Sequence, residues 1–195
     1  MMVIGETMTA ININHLRAIE VLRKRCSVDK VIYLNSIRSN ALLARERYYR
    51  QKFVSHYRVI RKTPSFYESY FALLERVAST VDIPSIREIL AELHKIEGEC
   101  HLSFGSKLLA TVDDEAVIFD RYVARLLGVK NCSTPKEGRM EKALRYAAIQ
   151  RGIAGITSAE GWVAIEYDFD RAFQTAGQLS KTRKADLMVW ASYVK

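Results

Sequence analysis

Residues 65–80 read Ser65-Phe66-Tyr67-Glu68-Ser69-Tyr70-Phe71-Ala72-Leu73-Leu74-Glu75-Arg76-Val77-Ala78-Ser79-Thr80, and this stretch decides the fold class. Its apolar side chains recur with the period of a helix. Ser65 stands ahead of them with Glu68 three residues on, the spacing of a capping box that satisfies two orphan N–H groups. The same character extends outward in both directions. Three prolines and nine glycines interrupt 195 residues, and no stretch sustains the period-2 alternation of a half-buried strand, so the chain is expected to be all-α. The periodicity predicts helices near 9–25, 37–61, 65–80, 84–97, 104–112, 114–127, 136–155, 158–176 and 181–193. Only Lys30-Val31-Ile32-Tyr33-Leu34 has the look of a short strand. Pro84 suits a first helical turn, where its missing N–H is not needed, and Thr134-Pro135 followed by Glu137 reads the same way. Gly128 after Leu126-Leu127 fits a left-handed C-terminal cap.

The length suffices for one domain with a full core, expected to span residues 1–195. Hydrophobic residues make up 49% and charged residues 27%, which is too apolar for disorder. The longest near-apolar run, Leu187 to Val194, is far short of the roughly 20 residues that span a bilayer. The first residues carry Glu6, Thr7 and Thr9 in place of a basic start and an apolar stretch, so no secretory signal is read and a cytoplasmic protein is expected. Cys26, Cys100 and Cys132 form no CxxC pair, which argues against a disulfide framework or a cysteine-ligated cluster.

Charge is concentrated. Of the net +8, residues 38–62 contribute +7, with Arg38, Arg45, Arg47, Arg50, Lys52, Arg58, Arg61 and Lys62 set against Glu46 alone. On one continuous helix, Leu42, Tyr49, Phe53, Tyr57 and Ile60 gather on one face and Arg47, Arg58 and Arg61 fall opposite. Such a run is most often a solvated face. With one acidic residue available inside the segment, intrahelical ion pairs do not account for the arginines. Phosphate binding does, and DNA is the expected partner.

The most informative stretch is Leu102-Ser103-Phe104-Gly105-Ser106-Lys107-Leu108-Leu109-Ala110, followed after a turn by Val117-Ile118-Phe119-Asp120-Arg121-Tyr122-Val123-Ala124-Arg125-Leu126-Leu127-Gly128. Read physically, a helix ends near Glu97-Gly98, the chain turns, and a new helix begins at Ser106-Lys107, whose backbone N–H groups can hold a phosphate. An apolar run interrupted by one carboxylate, Asp120, comes next. Without further context Asp120 reads as a helix N-cap or a satisfied buried carboxylate, and Lys107 as a surface lysine.

These residues resemble the helix-hairpin-helix/Gly-Pro-Asp superfamily of DNA glycosylases, and in particular bacterial 8-oxoguanine-glycosylase-like proteins. Leu102 to Lys107 stand for the hairpin, and Asp120, Val123, Arg125 and Leu127 for the D-x-x-V-x-R-x-L pattern around the catalytic aspartate. Gly105 stands alone where the family's hairpin has two glycines, and 13 residues separate Lys107 from Asp120. The resemblance implies a two-lobed helical domain, with a middle lobe over about 37–127 and a second lobe from the N- and C-terminal helices. It implies excision of a damaged base, with oxidised purines among the candidates, and with Asp120 and Lys107 as catalytic residues. Gly105 and Ser106, with Arg47, Arg50, Arg58 and Arg61, are then the DNA-binding set, and neither metal nor other cofactor is called for. The rival expectation is a non-catalytic DNA-binding or helical interaction protein on the same scaffold.

His94, Glu97 and His101 have the spacing of metal ligands on one helix, but Gly98 interrupts that helix. His15 and His56 have no partner pattern. Trp162 and Trp190 read as core anchors, and no nucleotide-binding or nucleophile-elbow glycine motif occurs.

Overall fold

The computed structural model describes residues 14–25, 28–99, 101–130 and 138–193. All regular structure among them is helical: α1 (His15–Arg25), α2 (Val28–Asn35), α3 (Arg47–Tyr57), α4 (Pro64–Ser79), α5 (Ile86–Glu97), α6 (Leu102–Val112), α7 (Arg121–Leu126), α8 (Arg139–Ser158), α9 (Trp162–Ala172) and α10 (Lys181–Tyr193). Short 3-10 turns occupy Ser36–Arg38, Ala41–Arg45 and Ala176–Gln178. Cys26, Cys100, Cys132, the Thr134-Pro135 helix start and the N-terminal residues through 13 lie outside the described residues. No helix among those described is long and apolar enough to cross a membrane.

The decisive helix forms, one residue out of register at its start. Thr63, not Ser65, is the N-cap of α4: its hydroxyl accepts from the Phe66 N–H at 3.2 Å, and Pro64 takes the first turn. The reciprocal capping box lies instead at α5, where Ser85 and Glu88 exchange bonds, so Pro84 sits just outside the helix. Gly128 adopts φ 66° as expected of a C-terminal cap.

Residues 30–34 are helical, not extended. Val28, Val31 and Leu34 are all buried, and that threefold spacing reaches one core only from a helix, which overrides the β preference of Val31 and Ile32. The expected long helix over 37–61 is broken. The chain leaves helical geometry at Asn40, φ −146° and ψ 86°. Arg38 then turns aside to donate to the carbonyls of Ala78, Thr80 and Val81 at the end of α4. The break leaves Leu42 and Ile60 exposed, while Tyr49, Phe53 and Tyr57 enter the core as expected. The run at 114–127 yields only α7. Residues 116–120 stay outside any helix: the Ile118 N–H donates to Asp186 at 3.2 Å and the Phe119 N–H to Ser106 Oγ at 2.9 Å in place of helical carbonyls. Helix α8 continues to Ser158, and Gly161 at φ 90° separates it from α9.

One continuous hydrophobic cluster runs through the molecule, from Leu22 of α1 to Ala191 of α10. Helix α1 packs along α10, which also touches α7, α8 and α9; α4, α5 and α6 pack on one another, with α8 against α5 and α6. Trp162 is fully enclosed and Trp190 packs against the same core. Two buried tyrosine hydroxyls donate to carbonyls, Tyr49 to Leu34 at 2.7 Å and Tyr70 to Phe104 at 2.9 Å, the second tying the start of α6 to α4.

Candidate functional site

Helix α6 carries the first half of the site. It begins at Leu102, so the expected restart at Ser106-Lys107 does not occur, and Gly105, Ser106 and Lys107 lie within the helix. This corrects the phosphate-binding role read for Gly105 and Ser106. A Cβ on Gly105 would stand 3.3 Å from Ile89 and 3.4 Å from Leu90 and Leu93, so this glycine lets α6 close on α5. Ser106 has no exposed surface. Its hydroxyl donates to the Ser103 carbonyl at 3.1 Å and accepts from the Phe119 N–H, pinning the segment that leads to Asp120.

Lys107 is 8% exposed. Burial brings its ammonium down from 10.5 to about 8, and the Asp120 carboxylate, acting the other way, keeps it from falling further. Its amine lies 5.7 Å from the centre of the Phe104 ring, and Thr111 Oγ donates to its carbonyl at 2.7 Å. Asp120 caps α7, accepting from the Tyr122 N–H at 2.7 Å, so the N-cap reading holds. The Asp120 carboxylate acts on Lys107 through space across the α6–α7 connection.

Beneath them lies a charged interior that the sequence analysis did not anticipate. Arg183 of α10 is wholly buried: it donates to Asp186 at 3.1 Å and to the Ala110 carbonyl, and stands 3.7 Å from Asp114. Asp186 is pushed up to about 6 by burial, with Arg183 and the Ile118 N–H opposing and Asp120 adding to the rise. His56 on α3 is driven down to about 4, first by burial and then by the positive charges of Lys30, Arg183 and Lys107. Legible in retrospect was the three-residue spacing of Arg183 and Asp186 just ahead of the apolar run Leu187-Met188-Val189-Trp190-Ala191.

The basic segment divides. Arg50 turns inward, donating to Glu68 at 2.8 Å and to the Ala44 carbonyl at 2.6 Å with its guanidinium 5.1 Å from the Phe71 ring, so it serves the fold; Arg45 grips Glu75. Partners absent within 38–62 are thus supplied by α4. Arg47, Arg58 and Arg61 remain exposed. Arg58 and Arg61 both adopt left-handed backbone, φ 51° and 63°, in the turn between α3 and α4. Lys62 closes that turn, 2.7 Å from Glu97 and 3.1 Å from His101, with its amine 5.4 Å from the same Phe104 ring that Lys107 approaches. The arginine-bearing turn therefore sits one aromatic ring away from Lys107. Glu97 and His101 do come together at 2.8 Å, but the Lys62 ammonium shares them, and the described residues hold no set of three groups placed for a metal. His15 pairs with Asp168 at 3.0 Å.

On the far side of Asp120, Arg121, Tyr122, Arg125, Val129 and Tyr193 line an open groove of about 380 Å³ between α7 and the end of α10. No family model matches the chain, and neither curated proteins nor solved structures give a significant match.

Proposed function

We propose that the chain binds DNA and excises a damaged base by cleaving its N-glycosidic bond, with Lys107 and Asp120 as the reacting pair. The observation that carries this reading is a lysine enclosed in the protein, within the field of a helix-capping carboxylate, and beside a turn that exposes two arginines. Each part has a chemical use. Cleavage of the glycosidic bond builds positive charge on the sugar, which Asp120 stabilises. An amine shielded from water has a larger neutral fraction near neutral pH and attacks the sugar carbon as the base departs with the bonding electron pair. The proton that Nζ sheds passes through Asp120 to the departing base, and breaking the C1′–O4′ bond, with a proton from water going to O4′, leaves the lysine–sugar iminium that borohydride reduces. Arg58 and Arg61 supply the phosphate contacts, and Arg47 extends them along α3.

Incubation with duplexes bearing a panel of damaged bases tests this, with abasic sites and strand nicks as the readout. Borohydride is expected to trap a protein–DNA adduct that Lys107→Gln loses. Asp120→Asn keeps the helix cap, since Asn caps as well as Asp, and is expected to lose rate by orders of magnitude while holding DNA affinity. Excision at the wild-type rate by Asp120→Asn removes this pair from the mechanism. Excision without a trappable adduct leaves Asp120 in place and assigns Lys107 to positioning. Release of no base, with DNA binding retained, selects a non-catalytic DNA-binding protein, a reading favoured by the enclosure of Gly105 and Ser106 inside α6.

A further inference from the structure

The groove beside α7 differs in kind from the part of the basic surface that faces α4. Where Arg45 and Arg50 are drawn into carboxylate pairs with α4, Arg121 and Arg125 rest on aromatic rings. The Arg121 guanidinium lies 4.7 Å from the Tyr122 ring centre and donates to its hydroxyl at 2.7 Å; the Arg125 guanidinium lies 5.4 Å from the Tyr193 ring. The two tyrosine rings stand 5.6 Å apart at 34° to each other. Val129 adds an apolar wall, and among the described residues no acidic side chain lines the groove. Its volume is at the lower end of the range, roughly 300–1,000 Å³, of small-ligand sites. A site of this composition suits a flat ring carrying an anion. Tyrosine faces stack on any base, and guanidinium edges fit phosphate oxygens.

Its position narrows the ligand. The backbone N–H of Tyr122 donates to Asp120, so the groove and the candidate carboxylate share one turn of chain. We infer that this groove holds a single nucleotide of DNA drawn out of the stack, its base on Tyr122 and Tyr193 and its phosphate between Arg121 and Arg125. The inference rests on the DNA reading above. It adds a contact that depends on an unpaired base, which the exposed arginines of the α3–α4 turn do not supply.

The test compares fluorescence anisotropy of a ten-residue thymidine strand with that of a strand of equal length whose sugars carry no base. The wild-type protein is expected to prefer the thymidine strand about 5- to 100-fold, the range of one or so stacked bases. Tyr193→Ala should abolish the preference and Tyr193→Phe should keep it, with circular dichroism reporting the fold. Arg125→Ala should weaken both strands and reduce the salt slope by about 0.7. An unchanged preference in Tyr193→Ala overturns the groove assignment. Tighter binding of a uridine strand than of the thymidine strand overturns the choice of DNA. The damaged-duplex assay is independent of this measurement: base release by a protein without strand preference sinks the groove alone. Strand preference in a protein that releases no base keeps the groove and sinks the glycosylase.

Discussion

At the scale of single residues, Lys107 is the group whose placement works against stability. A lysine side chain in this enclosure holds its charge at a cost, since its folded pKa of about 8 lies below the 10.5 of an unburied lysine. The penalty is fully present below about pH 8, where the folded state carries the desolvated ammonium, and is relieved as pH rises from about 8 towards 10.5. Lys107→Met keeps the length of the side chain without the charge. It should stabilise the protein at pH 7 by about 3 kcal/mol, and the wild-type gain in stability between pH 8 and 10.5 should vanish in the variant. Urea denaturation across that pH range measures both. A variant no more stable than wild type at pH 7 would mean that Lys107 reaches water. The sequence marked this residue only through its register after Gly105-Ser106; nothing local distinguishes a buried lysine from an exposed one, because burial is set by helices far away in the chain.

Among elements, the turn from α3 to α4 concentrates what the sequence read as a single arginine stripe. Arg58 ends α3 and Arg61 follows within the turn, both left-handed, a conformation that costs a non-glycine residue roughly 1–2 kcal/mol. The turn is held by the fold: Val59 is buried, its carbonyl accepts from Tyr67 Oη at 2.8 Å, and Lys62 is locked on Glu97. Strain that neighbours enforce at an exposed basic turn is the kind found at functional sites. Arg61→Gly should relieve it, raising stability by about 0.5–1 kcal/mol, while weakening duplex binding and lowering the slope of log K against log salt by about 0.9. Thermal melts and a salt titration check the two halves. An unchanged slope takes this turn out of the interface. The charge of segment 38–62 was plain in the sequence, whereas its division into Arg45 and Arg50 facing α4 and Arg47, Arg58 and Arg61 facing solvent was not, since Glu68 and Glu75 lie beyond the segment.

Across the whole molecule, α10 locks the site into place. Arg183 and Asp186 reach from the last helix to the end of α6, to Asp114 and to the backbone of Ile118, two residues before Asp120. Asp114, itself partly exposed, in turn accepts from Asn35 of α2 at 3.1 Å and from the Ser180 N–H, so α2 and the start of α10 converge on one polar network around the buried Arg183. Asp186→Ala leaves the Arg183 charge buried beside one remaining carboxylate and should cost about 3–5 kcal/mol. Replacing both, with Arg183→Met and Asp186→Leu, should cost less than the sum of the single losses, because the second change removes the stranded charge. A double-mutant cycle by denaturant unfolding reads this coupling, and strictly additive losses would show that the two groups act independently.

The sequence by itself determined the helical class, the existence of most elements, the aromatic core positions Tyr49, Phe53 and Tyr57, and the left-handed end at Gly128. Each follows from local period, local capping or the absence of a Cβ, which short stretches of chain decide alone. Only the tertiary structure decided that residues 30–34 are helical and that residues 116–120 are not, because the partners that outbid local preference, a shared core and the side chains of Ser106 and Asp186, come from remote helices. Tertiary packing likewise joined α7 to the last turn of α10 in a tyrosine–arginine groove, since residues 122 and 193 face each other only once the chain has closed on itself.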